Sequence, residues 1–360
     1  MYYIGMMSGT SLDGIDLVLV SFSPQPRLIS SLLYPFPPEL KLQLQQLSQP
    51  GDNEIERLGL TEQQLANCYA SGVKALLAQA GVAASTIAAI GCHGQTIRHR
   101  PDASFPFSYQ IGDMHRLAML CHIPVIADFR RKDIAYGGQG APLVPAFHRA
   151  VFQHPNYQRA IVNIGGIANV SVLSADRPVT GFDTGPGNAL LDNWVMQCRK
   201  KSYDNNGEFC SEGQLMPELL TAMLADPYFS KPAPKSTGRE YFNLAWLQQF
   251  EPERFNPADV QRTLCRLTAQ SISNSLQNKQ LQQVFVCGGG VHNRVLMADL
   301  ALLLPNCTLS STQTLGVNPD WVEALAFAWL AWAYQHNVTG NLPEVTGASK
   351  ACVLGVAYFP

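Results

Sequence analysis

The sequence predicts an α/β protein built as two related halves. Three observations carry that expectation. Segments of strand and helix character alternate along the 360 residues. A strand–glycine turn–strand unit opens the chain at 2–20 and returns at 159–173. A third glycine cluster, 288–290, stands where a strand gives way to a helix.

Taken in order, "YYIGMM" and "IDLVLVSF" (15–22) are β-branched and aliphatic runs flanking a Ser/Gly/Thr/Asp cluster, the pattern of a hairpin. "TEQQLANCYASGVKALLAQAG" (61–81) puts Leu65, Tyr69, Val73, Leu76 and Leu77 on one helical face, with Thr61 and Gln64 as a capping box. "IAAIGCHGQT" (87–96) and "HIPVIADF" (122–129) predict short buried strands ending in polar residues, and 137–152 a glycine-rich loop entering a helix. "RAIVNIGGIANVSVL" (159–173) is the second hairpin, and "VTGFDTGPGNALLDNWVMQC" (179–198) a strand, tight loop and helix. A long helix at 258–277 precedes the strand, triple glycine and helix of 283–304. "WVEALAFAWLAWAY" (321–334) is apolar on every side and therefore a core helix, with Asn318 and Pro319 as its cap and first position. The expected domains are 1–150 and 151–360, with the segment 340–360 a candidate to pack back on the first.

Charged residues are only 14% of the chain against 46% hydrophobic, and the formal net charge is −2. Without a basic run longer than "RRK" (130–132), the sequence points away from nucleic acid and from anionic membrane surfaces. Nine scattered cysteines form no C-x-x-C pair, which argues against zinc clusters and suits a reducing compartment. The opening residues lack a cationic region followed by an apolar one, so no signal peptide is predicted and the expected location is cytoplasmic. The partners expected are small solutes.

The glycine turns suggest which solutes. Gly9 and Gly14 have the spacing of a P-loop, yet Ile15 and Asp16 stand where such a loop needs Lys and Ser/Thr. A glycine-rich hairpin tip can still aim backbone N–H groups at an anion. Thr10 and Ser11 add hydroxyls, while Asp13 and Asp16 suit Mg²⁺ carried on a polyphosphate. The competing reading is an ordinary turn. "NIGGIAN" (163–169) repeats the arrangement, and Gly288, Gly289 and Gly290 precede a helix start, where a phosphate or nucleotide packs well.

Together, "GMMSGTSLDGID", "CHGQTIRH", "ADFRRKDIAYGGQGAPLVP", "NIGGIANV", "GFDTGPGN" and "CGGGVHN" resemble the anhydro-N-acetylmuramic acid kinase family, from residue 5 to about 335 and more loosely to the C-terminus. The resemblance implies the actin-like ATPase fold, two ribonuclease H-like domains with a nucleotide cleft between them. It implies ATP and Mg²⁺ as cofactors and a homodimer. The implied reaction phosphorylates O6 of 1,6-anhydro-N-acetylmuramic acid while water opens the 1,6-anhydro ring, in peptidoglycan recycling. Asp183 of "GFDTGPGN" is then the general base that activates water; its alternative is an Asx-turn. The implied ATP contacts are Gly9, Thr10, Ser11, Leu12, Asp13, Gly14, Ile15, Asp16, Gly165, Gly166, Asn169, Gly288, Gly289, Gly290 and Asn293. Thr96, His93, Arg130 and Glu323 are the candidates for the sugar, with one of Arg130 and Arg131 expected in the site. The rival readings are another sugar or acyl kinase of this fold, or an actin-like filament or chaperone-type ATPase.

Overall fold

The computed structural model describes every residue except Thr10, Ser11, Asp13, Pro24, Gln25 and Asn278. It divides into two compact units, 1–151 with 321–360, and 152–320.

In the first unit, β1 (Tyr2–Ser8), β2 (Ile15–Ser21), β3 (Arg27–Tyr34), β4 (Ile87–Arg100), β5 (Phe107–Ile111) and β6 (Val125–Ala127) join the C-terminal strand Val356–Tyr358 in one sheet. The order is β3-β2-β1-β4-β6, with the C-terminal strand beyond β6 and β5 paired to the end of β4. The pairs β1–β2 and β2–β3 are antiparallel, whereas β4 runs parallel to β1 and β6. The second unit contains β7 (Arg159–Ile164), β8 (Ile167–Leu173), β9 (Thr180–Pro186), β10 (Gln283–Cys287) and β11 (Thr308–Ser311). Its order, β9-β8-β7-β10-β11, repeats the same sequence of antiparallel and parallel neighbours. This is the ribonuclease H-like topology twice over, the actin-like ATPase fold.

The helix Val322–Gln335 belongs to the first unit, so the expected division at 151–360 is corrected beyond residue 320. The reason is a glycine pair. Gly5 of β1 and Gly91 of β4 stand opposite each other, and a Cβ on either would collide with the carbonyl oxygen of Ala324 or Phe327. Bare backbone there lets an alanine-rich helix lie directly on the sheet. The carboxylate of Asp133 ties the following segment down. It accepts from Gly140 N–H at 2.8 Å, Asn341 Nδ2 at 2.7 Å and the Thr346 hydroxyl at 2.7 Å, all within this unit.

Other boundaries moved for local reasons. The helix expected at 61–81 spans Glu54–Ala80; Thr61 lies inside it, its hydroxyl bonded back to the Arg57 carbonyl at 2.7 Å, and caps nothing. Asn318 caps a short 3₁₀ turn, Pro319–Trp321, through the N–H of Asp320, and the α-helix starts after it. All nine cysteines are free. No helix among the described residues is long and apolar enough to cross a membrane.

Candidate active site

Asp183 is inside β9, not in a loop beyond it. Antiparallel pairing places Asn163 of β7 opposite Asn169 of β8, and Asn169 opposite Asp183 of β9. Directly opposed residues share a face, so the three form a polar row across a sheet whose neighbouring positions are mostly buried. All three remain partly accessible.

The segment 235–240, "KSTGRE", runs beside this row. Asp183 N–H donates to the Lys235 carbonyl at 3.1 Å, and the Thr237 N–H donates to Asp183 Oδ2 at 3.0 Å. Tyr228 donates its hydroxyl to the Asp183 carbonyl at 2.8 Å. The Asp183 carboxyl is thereby held by a neighbouring irregular segment. Burial pushes the Asp183 carboxyl up to about 6, the Thr237 N–H pulls it down, and the nearby Glu240 carboxylate raises it. Sequence reasoning missed this segment. Its signal was a hydroxyl-rich, glycine-containing stretch with adjacent opposite charges in a region without helical or strand periodicity.

The turn joining β7 to β8 is fixed from behind. Gly187 N–H and Ala189 N–H donate to the Gly166 carbonyl at 2.9 and 3.0 Å, and Asn188 N–H to the Gly165 carbonyl at 2.8 Å. The start of the helix Ala189–Arg199 is therefore spent on the turn. Gly166 lies against Arg239, whose Nε and Nη2 would stand 2.6 Å from a Cβ at that position. In the third cluster, Gly288 has φ +78° and packs on Asn163 and Ile164, with its N–H bonded to the Pro319 carbonyl at 2.9 Å. Gly290 packs on Ile164, while Gly289 has only the Asn188 amide within 4 Å of a Cβ position. Asn293, expected at the nucleotide, caps the helix Arg294–Leu303. Its side-chain oxygen accepts from Val295 and Leu296 N–H, both at 3.1 Å, and the residue is 7% exposed.

In the first unit, His93, Arg130 and Glu323 come together. Arg130 donates to His93 Nε2 (2.8 Å from Nη2) and to the Gly140 carbonyl (2.7 Å from Nη1). Since Arg has no acceptor, His93 is neutral with its proton on Nδ1. Burial first, then the Arg130 charge, holds His93 well below the usual imidazole range. Burial lowers Arg130 to about 10, opposed by the Glu323 and Asp133 carboxylates. Arg131 is separate, ion-paired with Asp128 at 2.6 Å. Thr96, partly accessible on β4, accepts from Gln110 at 3.1 Å. A cavity of ≈ 160 Å³ in this unit is bordered by His93, Gln110, Asp128 and Arg131 among others.

At the first glycine turn, Thr10, Ser11 and Asp13 lie outside the described residues. Leu12 and Ile15 are 5% and 0% exposed, so their side chains belong to the core and only their backbone could meet a ligand. Gly9 accepts from Leu12 N–H at 3.2 Å, and Gly14 leaves room for Leu33 and Tyr34. Asp16, the second residue of β2, stands opposite Met7.

The family model for anhydro-N-acetylmuramic acid kinase matches residues 1–360. The chain belongs to that family. Proteins bearing the family's name are 48% identical in Pasteurella multocida (99% of this chain, 97% of the relative), 50% in Shewanella pealeana (99% and 98%) and 49% in Haemophilus influenzae (100% and 98%). Among solved structures, similarity is distant. The activator of 2-hydroxyisocaproyl-CoA dehydratase from Clostridium difficile with bound ADPNP is 14% identical at a TM-score of 0.47, covering 92% of this chain and 94% of that one. A ROK family glucokinase from Streptomyces griseus is 10% identical at 0.42, covering 92% and 99%. The family therefore rests on the sequence matches, and the fold on the strand order of the two sheets.

Proposed function

We propose that the chain phosphorylates O6 of 1,6-anhydro-N-acetylmuramic acid with ATP while water opens the anhydro bridge, giving N-acetylmuramic acid 6-phosphate and ADP in cell-wall recycling. The observation that carries the reading is Asp183, a carboxylate fixed on an otherwise buried sheet by a backbone N–H and raised to about 6. Such a group is mostly ionised near neutral pH and still basic enough to take a proton.

Asp183 removes a proton from water as the water oxygen bonds to C1. The C1–O6 electron pair stays with O6, which bonds to the γ-phosphorus as its bond to the ADP oxygen breaks. The departing oxygen is captured by phosphorus, so no second carboxylic acid is needed to protonate it. Gly165, Gly166, Gly288 and Gly289, with the backbone of 9–16, are assigned to the nucleotide, and Asn169 to the same polar row as the base. His93 holds Arg130, and Arg130 with Glu323 and Thr96 is assigned to the sugar.

Magnesium fits the same reading. Among the described residues no group of three or more His, Cys, Asp or Glu could hold a metal by itself. Mg²⁺ commonly uses one or two carboxylates and completes its shell with phosphate oxygens and water, for which Asp16, with Asp13, is suited. It would supply charge neutralisation on the phosphates. A cytoplasmic location and a homodimer belong to this proposal.

The test is ADP release from Mg-ATP with and without the anhydro-sugar, with product identification. ADP formed only with the sugar, together with a ring-opened 6-phosphate, is expected. Sugar-independent release would favour the filament or chaperone-type ATPase, and turnover of a different acceptor another kinase of the fold.

A further inference from the structure

The geometry points to Arg239 as a catalytic residue that contacts the transferring phosphoryl group. This rests on the assignment of the Gly165–Gly166 turn to the phosphates. Its guanidinium is seated on that turn, in the space a side chain at Gly166 would fill. Among the described residues no carboxylate lies within 4.0 Å of it. The adjacent Glu240 does not pair with it; its carboxylate folds back over Gly238.

Other arginines of this unit are committed. Arg262 and Arg266 share Asp299, and Arg199 pairs with Glu212. Arg239 is instead exposed, positively charged and held beside bare backbone. A planar guanidinium offers paired N–H donors matched to phosphate oxygens. The segment that carries it also binds Asp183 through Thr237 N–H, two residues away. One short strap thus sets both the base and the cation, so water activation and phosphoryl transfer share a support. An arginine delivered to a transferring phosphoryl group is worth about 10³–10⁵ in rate where it has been measured.

The experiment compares the full chain with Arg239→Ala and Arg239→Lys, measuring kcat, KM for each substrate, and binding of ADP and a non-hydrolysable ATP analogue. Arg239→Ala is expected to lower kcat by about 10²-fold or more and to abolish the preference for the ATP analogue over ADP. The sugar KM should stay within about threefold, Lys should restore part of the rate, and added guanidinium should partly rescue the alanine variant. A kcat within threefold of the parent, or a loss seen only in sugar KM or thermal stability, overturns the assignment. If the parent turns over a different acceptor yet loses the triphosphate preference with Arg239→Ala, the substrate reading fails while the role of Arg239 stands.

Discussion

The Thr237 backbone N–H donates to Asp183 Oδ2 at 3.0 Å, and this bond opposes the burial and the Glu240 carboxylate that both push the carboxyl upward. The Asp183 carboxyl is therefore poised by competition. The donor is backbone, so side-chain substitution at Thr237 leaves it, whereas Thr237→Pro removes it.

Activity should follow Asp183 ionisation. The base works deprotonated, so kcat/KM is expected to rise with pH through about 6 and level off above it. Glu240→Gln removes a negative neighbour and should move this acid limb to lower pH. An unchanged limb in Glu240→Gln, measured over pH 4.5–8 (roughly the span around such a pKa), would count against Asp183 as the titrating group.

Asp183→Asn should lower kcat by about 10²–10⁴-fold and stabilise the fold at neutral pH. A carboxyl raised in the folded state binds its proton more tightly there than when unfolded. Stability is then highest below the unfolded value of 3.8 and falls as pH rises to about 6. The shift corresponds to roughly 3 kcal/mol at most, and Asn avoids it while still accepting from Thr237. Denaturant melts at pH 7 and pH 4 should show the variant's advantage at the higher pH and little at the lower.

Asp133→Ala should destabilise the first unit by about 2–4 kcal/mol, because Asn341, Thr346 and Gly140 lose a shared buried acceptor. Thermal melts read the loss, and limited proteolysis should cut sooner within 337–351. Resistance equal to the parent's would show that the segment is held by other contacts.

Gly5→Ala and Gly91→Ala each put a methyl against a helix carbonyl. Overpacking of this kind costs about 1–3 kcal/mol or more, and the two changes should be non-additive since both displace the same helix. Melting temperatures of the single and double variants provide the check; unaltered melting would show that the helix shifts freely.

Much was legible before the structure. The repeated strand–glycine–strand pattern exposed both hairpins because β-branched runs and glycine turns are local signals. The motif "GFDTGPGN" singled out Asp183 as the proposed base, and the all-round apolarity of 321–334 identified a core helix. Local signals misplaced Thr61 as a cap, since acidic residues at 54 and 56 had already opened the helix. They did not show that Asn293, read as a nucleotide contact, caps the helix that follows it.

By itself the sequence determined the α/β class, the two hairpins and the family, and singled out the carboxylate proposed as the base, because each is written in contiguous residues. Only the tertiary structure decided that 321–360 joins the first unit, that Arg130 is clamped by His93, and that 235–240 stands beside Asp183 and the glycine turn. Those relationships join residues tens to hundreds of positions apart. They depend on which bare backbone a helix can approach and which buried polar groups must find partners, and neither is encoded in a local pattern.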